Sequence, residues 1–147
     1  MAEYAAKRNV ALALEPLNRF ETDFMNTVEQ GLALLEQVGF DNAGFLLDTF
    51  HMNIEEKSLP NAIRMAKGKI FDFHSCANDR GTPGEDHFDW QAIVEALNEV
   101  DYRGPVVIES FTPEIKEIAK AVSLWRPLAE SPDTLAKNGC EFLRKRF

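Results

Sequence analysis

The chain is poor in the residues from which many functional classes are built. Its two cysteines, Cys76 and Cys140, stand far apart and neither belongs to a Cys-x-x-Cys pair. That leaves no basis for a disulfide framework or a thiolate zinc site, and two free thiols are the simplest reading. Three histidines are too few for a histidine-rich multi-zinc nuclease centre. Basic residues are also short, with 16 Lys and Arg against 24 Asp and Glu and a formal net charge of −8. Local basic clusters, such as Arg144-Lys145-Arg146, fall in the last turn of a terminal helix, where they suit the helix dipole. Such a chain lacks the electrostatic footprint of nucleic-acid binding. No run approaches the roughly 18 apolar residues of a membrane span, and MAEYAAKRNV has no signal-peptide core. A cytoplasmic protein that binds neither nucleic acid nor membrane is expected. A Gly-rich phosphate loop is missing as well: LEPLNRFET follows the first strand, where a dinucleotide-binding sheet would carry one.

What remains is an ordinary globular composition, 45% hydrophobic and 27% charged, with no repeat, linker or low-complexity stretch. Four short apolar segments organise the chain: NVALALE, AGFLLD, GKIFDFH and GPVVIE. Runs of consecutive apolar residues bounded by turn signals read as buried parallel strands, here Val10–Leu14, Gly44–Leu47, Lys69–Phe73 and Pro105–Ile108. Helical signals alternate with them. Ala2–Arg8 reads as the last turns of a helix. A helix over 26–38 has Val28, Leu32, Leu35 and Val38 on one face and Gly39 as its C-cap. Ser58 and Pro60 open a helix to about Lys67, and Asp89 caps one to Val100. Further helices are expected over 113–129 and from Ser131 to the end. The loop TFHMNIEEKS, with a solvated Glu55-Glu56-Lys57 cluster, and the loop SCANDRGTPGEDHF connect strands to helices. Trp90 and Trp125 read as packing residues on helices.

A βαβαβαβα order with short connections implies a parallel sheet with right-handed crossovers. An eight-stranded (β/α) barrel needs about 250 residues, so four units on one domain, 1–147, fit half a TIM barrel. Each apolar segment ends on a residue able to bind a divalent ion: Glu15, Asp48, His74 and Glu109. In such barrels catalytic groups sit at the C-terminal ends of the strands. Three carboxylates and one imidazole suit Mn²⁺ or Mg²⁺, with Co²⁺ or Zn²⁺ as alternatives. Glu15 and Glu109 could flank a substrate and exchange protons with it from opposite faces. His51 is a candidate second group beside Asp48 or a substrate hydrogen-bond partner, and Arg80 could reach a substrate oxygen; taken alone, a loop His or Arg is usually a surface residue. Asp86 and His87 are weaker candidates.

The segments LEPLNRFE, LLDTFHMNIEE, FDW and VVIES, with the loop from His74 through Arg80 to Pro83-Gly84, resemble the D-tagatose/D-psicose 3-epimerase family, a xylose isomerase-like (sugar phosphate isomerase/epimerase) TIM-barrel group. DTFHMNIEE is the most distinctive stretch. The resemblance covers the whole chain and corresponds to the C-terminal half of the family's barrel, strands five to eight. It implies that Glu15, Asp48, His74 and Glu109 ligate the metal and that Glu15 and Glu109 are the acid/base pair. It also implies that Glu21, His51 and Arg80 contact substrate oxygens. The implied reaction is inversion at C3 of a ketose: one Glu removes the C3 proton, a cis-enediolate forms, and the opposite Glu returns a proton to the other face. The chain departs from the family pattern at Asp86, where a small residue is usual, and an extra carboxylate there would be expected near the substrate mouth.

A half-barrel leaves two unpaired edges and an apolar inner face. Either self-association as a homo-oligomer or completion by a missing N-terminal half is therefore expected. A hydroxypyruvate-type or other keto-sugar isomerase, and a catalytically inactive half-barrel fragment, are the competing readings.

Overall fold

A computed structural model describes all 147 residues. Four parallel strands form one sheet in sequential order: β1 (Leu12–Leu14), β2 (Ala43–Asp48), β3 (Ile70–His74) and β4 (Val106–Val107). The helices between them are α1 (Ala2–Ala6), α2 (Val28–Val38), α3 (Thr49–Glu55), α4 (Leu59–Met65), α5 (Trp90–Glu99), α6 (Lys116–Ala121) and α7 (Pro132–Arg144). No helix is long and apolar enough to cross a membrane. Strands in sequential order, each followed by a crossover, are the arrangement of a (β/α) barrel, and four of them make half of one.

Register decides what faces where. Leu14 pairs with Phe45, Asp48 with His74, and His74 with Val107. Successive side chains alternate between faces, so one face takes Phe45, Leu47 and Phe73 and the other takes Asp48 and His74. The first face is the core. Phe45, Leu47 and Phe73 are fully buried, packed with Val28 and Leu35 of α2, Ile63 of α4, and Ile93 and Leu97 of α5. Gly31 lets α2 approach β2 closely, because a Cβ there would meet the Phe45 ring. The opposite face is thinly covered, and Ala13 and Val107 are exposed.

Capping explains most helix boundaries. The Thr27 and Gln30 side chains form a reciprocal capping box at the start of α2, and Gly39 ends it at φ 66° with its N–H on the Leu35 carbonyl. Ser58, Asp89 and Ser131 each accept a backbone N–H at the helix starts expected for them. Four expectations are corrected. The stretch after β2 is not a loop: Asp48 Oδ1 accepts the Phe50 N–H at 2.7 Å, so the strand passes directly into α3. The long helix expected over 113–129 shrinks to α6, because Ser123 adopts φ 56° and Pro127 lacks an amide proton. Trp125 lies outside that helix and is 84% exposed, so it is not a packing residue. Nor are Glu55 and Glu56 a solvated cluster. Glu55 holds Arg19 through two oxygens, and Glu56 accepts the Val28 N–H at 2.8 Å.

Candidate active site

The alternation that builds the core also delivers the four strand-end residues to one corner of the inner face. Glu15 follows β1, Asp48 and His74 end β2 and β3, and Glu109 lies two residues beyond β4. One ligand atom from each lies within 4.8 Å of the others. Asp48 is buried, and its Oδ2 is 3.6 Å from His74 Nδ1. Glu109 Oε2 is 3.8 Å from the same nitrogen.

Hydrogen bonds beneath the cluster fix it. Thr49 Oγ1 accepts the Cys76 N–H at 2.8 Å and donates to the Cys76 carbonyl at 2.5 Å, joining the start of α3 to the segment after β3. The Cys76 thiol donates to the Glu109 carbonyl at 3.2 Å and lies 3.5 Å from Asp48 Oδ2. Burial, with the Asp48 charge beside it, pushes that thiol well above its ordinary range, so Cys76 is a structural donor and not a nucleophile.

Arg80 arrives from the loop after β3. Its backbone takes φ 63°, unusual for a non-glycine residue, and the Ser110 hydroxyl donates to its carbonyl at 2.7 Å. The guanidinium lies 4.1 Å from the Phe50 ring centre and 5.1 Å from that of Phe111. It contacts Glu109 Oε2 and stands 3.5 Å from Asp48 Oδ2. His51, 2% exposed on α3, places Nε2 3.0 Å from Arg80 Nη2 and 3.6 Å from Glu15 Oε1. Burial lowers the pKa of this ring. Glu21 is exposed on the loop after β1 and is tied to the site through Asn18, whose Nδ2 donates to its Oε1 at 2.8 Å. The seven residues assigned to the site from the sequence thus converge, six directly and Glu21 by one intervening side chain, while Asp86 and His87 do not.

The charges in the corner are unequally shared. Burial, reinforced by the charges of Asp48 and Glu109, pushes Glu15 up to about 7. The oxygens of Asp48 and Glu109 facing His74 raise it to about 10. The facing His74 ring, with help from Arg80, holds Glu109 down at about 2. These residues also suit a divalent ion. His74 Nδ1 is a buried nitrogen without a hydrogen-bond partner, aimed at carboxylate oxygens too distant to bond it directly. Three carboxylates and an imidazole are the donors a borderline cation takes.

Asp86 does not extend the site. Its Oδ1 accepts from Trp90 Nε1 at 2.9 Å and from the Phe88 N–H, and its Oδ2 accepts the Gly84 N–H at 2.8 Å. Its carboxylate is used in folding the loop, so the expected effect on the substrate mouth is withdrawn. His87 is exposed, 3.0 Å from Asn53 Oδ1. Asn18, Thr49 and Cys76 were not singled out in the sequence; their importance comes from burial, and no spacing signals it.

Comparison with known proteins bears on the fold and family. The chain is 48% identical over its full length to a probable ketose 3-epimerase of Synechocystis sp. and 36% identical over 98% of its length to a D-psicose 3-epimerase of Agrobacterium fabrum. A solved structure of an L-ribulose 3-epimerase superposes with a TM-score of 0.93 at 42% identity, covering 98% of this chain and 49% of that one. The chain spans about half the length of the curated relatives it matches, 51% and 52% for the two named. The sequence pattern of the xylose isomerase-like TIM barrels matches residues 1–146, and the chain belongs to that family.

Proposed function

We propose that residues 1–147 are the C-terminal, metal-binding half of a ketose 3-epimerase. The observation that carries this reading is the corner itself: two glutamates from the outer strands meet across an Asp–His pair from the inner ones, with His51 and Arg80 beside them. Relatives named as ketose, L-ribulose and D-psicose 3-epimerases support it. Glu15, Asp48, His74 and Glu109 would hold a divalent ion, Mn²⁺ or Mg²⁺ by donor type. When bound, that ion supplies Lewis-acid polarisation of the ketose carbonyl, which acidifies the adjacent C–H.

The chain's own residues do the rest. Glu15 and Glu109 approach the corner from opposite edges of the sheet. One removes the C3 proton while the other returns a proton to the opposite face, and their roles exchange with the direction of reaction. Inversion requires two groups because a single base can reach one face only. His51 and Arg80 orient substrate oxygens, with Glu21 at the mouth. The other pocket wall would come from a second half-barrel supplied by a longer chain. The free edges of β1 and β4 support this, as does a groove of about 900 Å³ beside β4 lined by Ile108, Leu135 and Leu143.

Two measurements test the reading. Titration calorimetry with Mn²⁺ is expected to give one site that Glu109→Gln weakens at least tenfold; equal affinity would remove the assigned site. The complete barrel containing this half is expected to interconvert D-fructose or L-ribulose with its C3 epimer and to exchange the C3 hydrogen with solvent. Turnover of hydroxypyruvate alone would favour an aldose–ketose isomerase instead.

A further inference from the structure

Asn18, on the loop after β1, is 2% exposed, and its contacts admit one consistent arrangement of protons. The Phe20 N–H donates to Oδ1 at 2.9 Å, which fixes the oxygen side of the amide. Nδ2 therefore donates to Glu21 Oε1 at 2.8 Å. The backbone N–H of Asn18 donates to His51 Nδ1 at 3.1 Å, and Nδ2 lies 2.9 Å from the same nitrogen. A ring nitrogen that accepts an N–H carries no proton of its own, so the neutral His51 ring is protonated at Nε2.

That proton points into the corner. Nε2 is 3.0 Å from Arg80 Nη2 and 3.6 Å from Glu15 Oε1. Arginine has only donors, so Nε2–H and Nη2–H meet donor to donor, and an oxygen accepting from both would relieve the contact. The other tautomer would clear this end only by setting Nδ1–H against the Asn18 backbone N–H. Turning the amide to compensate would then mismatch it with both Phe20 and Glu21. The single unresolved contact lies on the side where a ligand oxygen would enter.

We propose that Asn18 is a positioning residue that holds His51 as the Nε2–H tautomer, so that His51 and Arg80 donate together to one oxygen of the bound sugar while the same amide aims Glu21. The identity of that ligand rests on the ketose-epimerase reading; the tautomer does not.

The test is a long-range ¹H–¹⁵N spectrum of the labelled chain with Mg²⁺. With three histidines present, the His51 ring is assigned from the loss of its signals in His51→Asn. The unsubstituted chain is expected to show an unprotonated Nδ1 and a protonated Nε2. Asn18→Asp replaces the side-chain donor with an acceptor of the same shape and is expected to add a population protonated at Nδ1, the retained backbone N–H holding the rest at Nε2. In the complete barrel, Asn18→Asp and Asn18→Ala are expected to lower kcat/KM for the ketose by about 10- to 100-fold, mainly through KM. A protonated Nδ1 in the unsubstituted chain overturns the proposal even if neither variant folds. Unchanged kcat/KM in both variants also overturns it. The expected tautomer in a barrel that turns over no ketose would leave the assignment standing and remove the epimerase reading instead.

Discussion

Glu15 and Glu109 occupy the two ends of the same sheet, carry the same side chain and share one cluster, yet their acidities are driven apart. Glu15, beyond β1, is pushed up to about 7 by burial and by the neighbouring carboxylates. Glu109, beyond β4, is held at about 2 by the facing His74 ring and by Arg80. The difference lies in where the positive charge sits. Arg80 touches Glu109, and His74 faces both Glu109 and Asp48, whereas Arg19, the nearest basic residue in sequence to Glu15, is engaged by Glu55. The β1 end is short of a cation, and a divalent ion in the corner would supply one. Titratable pairs whose environments push them apart are a usual source of acid and base roles.

The largest expected effect is on turnover. In the complete barrel, Glu15→Gln and Glu109→Gln should each reduce kcat/KM by about 10³-fold, near 4 kcal/mol of transition-state stabilisation. Retention of activity in either would break the symmetry of roles assigned to the two ends.

Next is the pH dependence of stability without metal. The folded chain holds the Glu15 proton more tightly than the unfolded chain does, so stability should fall as pH rises from 4.5 to about 7. Screening at this partly exposed side chain keeps the change below about 3 kcal/mol. His74, raised from 6.5 to about 10, continues the decline, its contribution being complete below 6.5 and lost through 10. The Glu109 contribution is present above 4.5 and lost as pH drops toward 2. Metal-free protein should therefore be most stable near pH 4.5–5 in urea titrations, and Glu15→Gln should flatten the segment up to 7. A stability maximum at pH 8 would contradict the assigned asymmetry.

Metal binding should reverse that asymmetry with release of about one to two protons at pH 7, from His74 and in part from Glu15. Calorimetry in buffers of different ionisation enthalpy reads the number directly, and zero release would show that neither group ligates. The smallest effect expected is from Arg80→Met in the metal-free chain. The Glu109 carboxyl should bind its proton about tenfold more tightly, followed by carbonyl carbon NMR, with a much smaller change at Glu15.

Much of this site was legible before any coordinates. An apolar run ending on a single Glu, Asp or His is conspicuous because burying a charge is costly, and alternation along parallel strands then sends those ends to one face. The helix starts at Ser58, Asp89 and Ser131 were legible because capping is local chemistry. What failed depended on competition. The segment after Asp48 reads as a loop in sequence because nothing local marks a strand-end Asp as a helix cap, while its Oδ1 starts α3. The helix over 113–129 was overdrawn because apolar periodicity carries no sign of the left-handed turn at Ser123. Asp86 looked available until Trp90 and two backbone amides were found to occupy it. Asn18 was passed over because an asparagine's worth depends on what surrounds it.

The direct passage from β2 into α3 has a further consequence. Asp48 turns Oδ1 to the Phe50 N–H and leaves Oδ2 for the corner, and His51 follows within the first turn of the same helix. One carboxylate thus both pins the helix start and faces the corner, and a change at Asp48 would loosen the helix that aims His51 into that corner. Screens that score only expression or only turnover would confuse the two losses, whereas Asp48→Asn, which keeps an oxygen for the cap, separates them. At this position one side chain carries both the start of the helix and a part in the proposed chemistry.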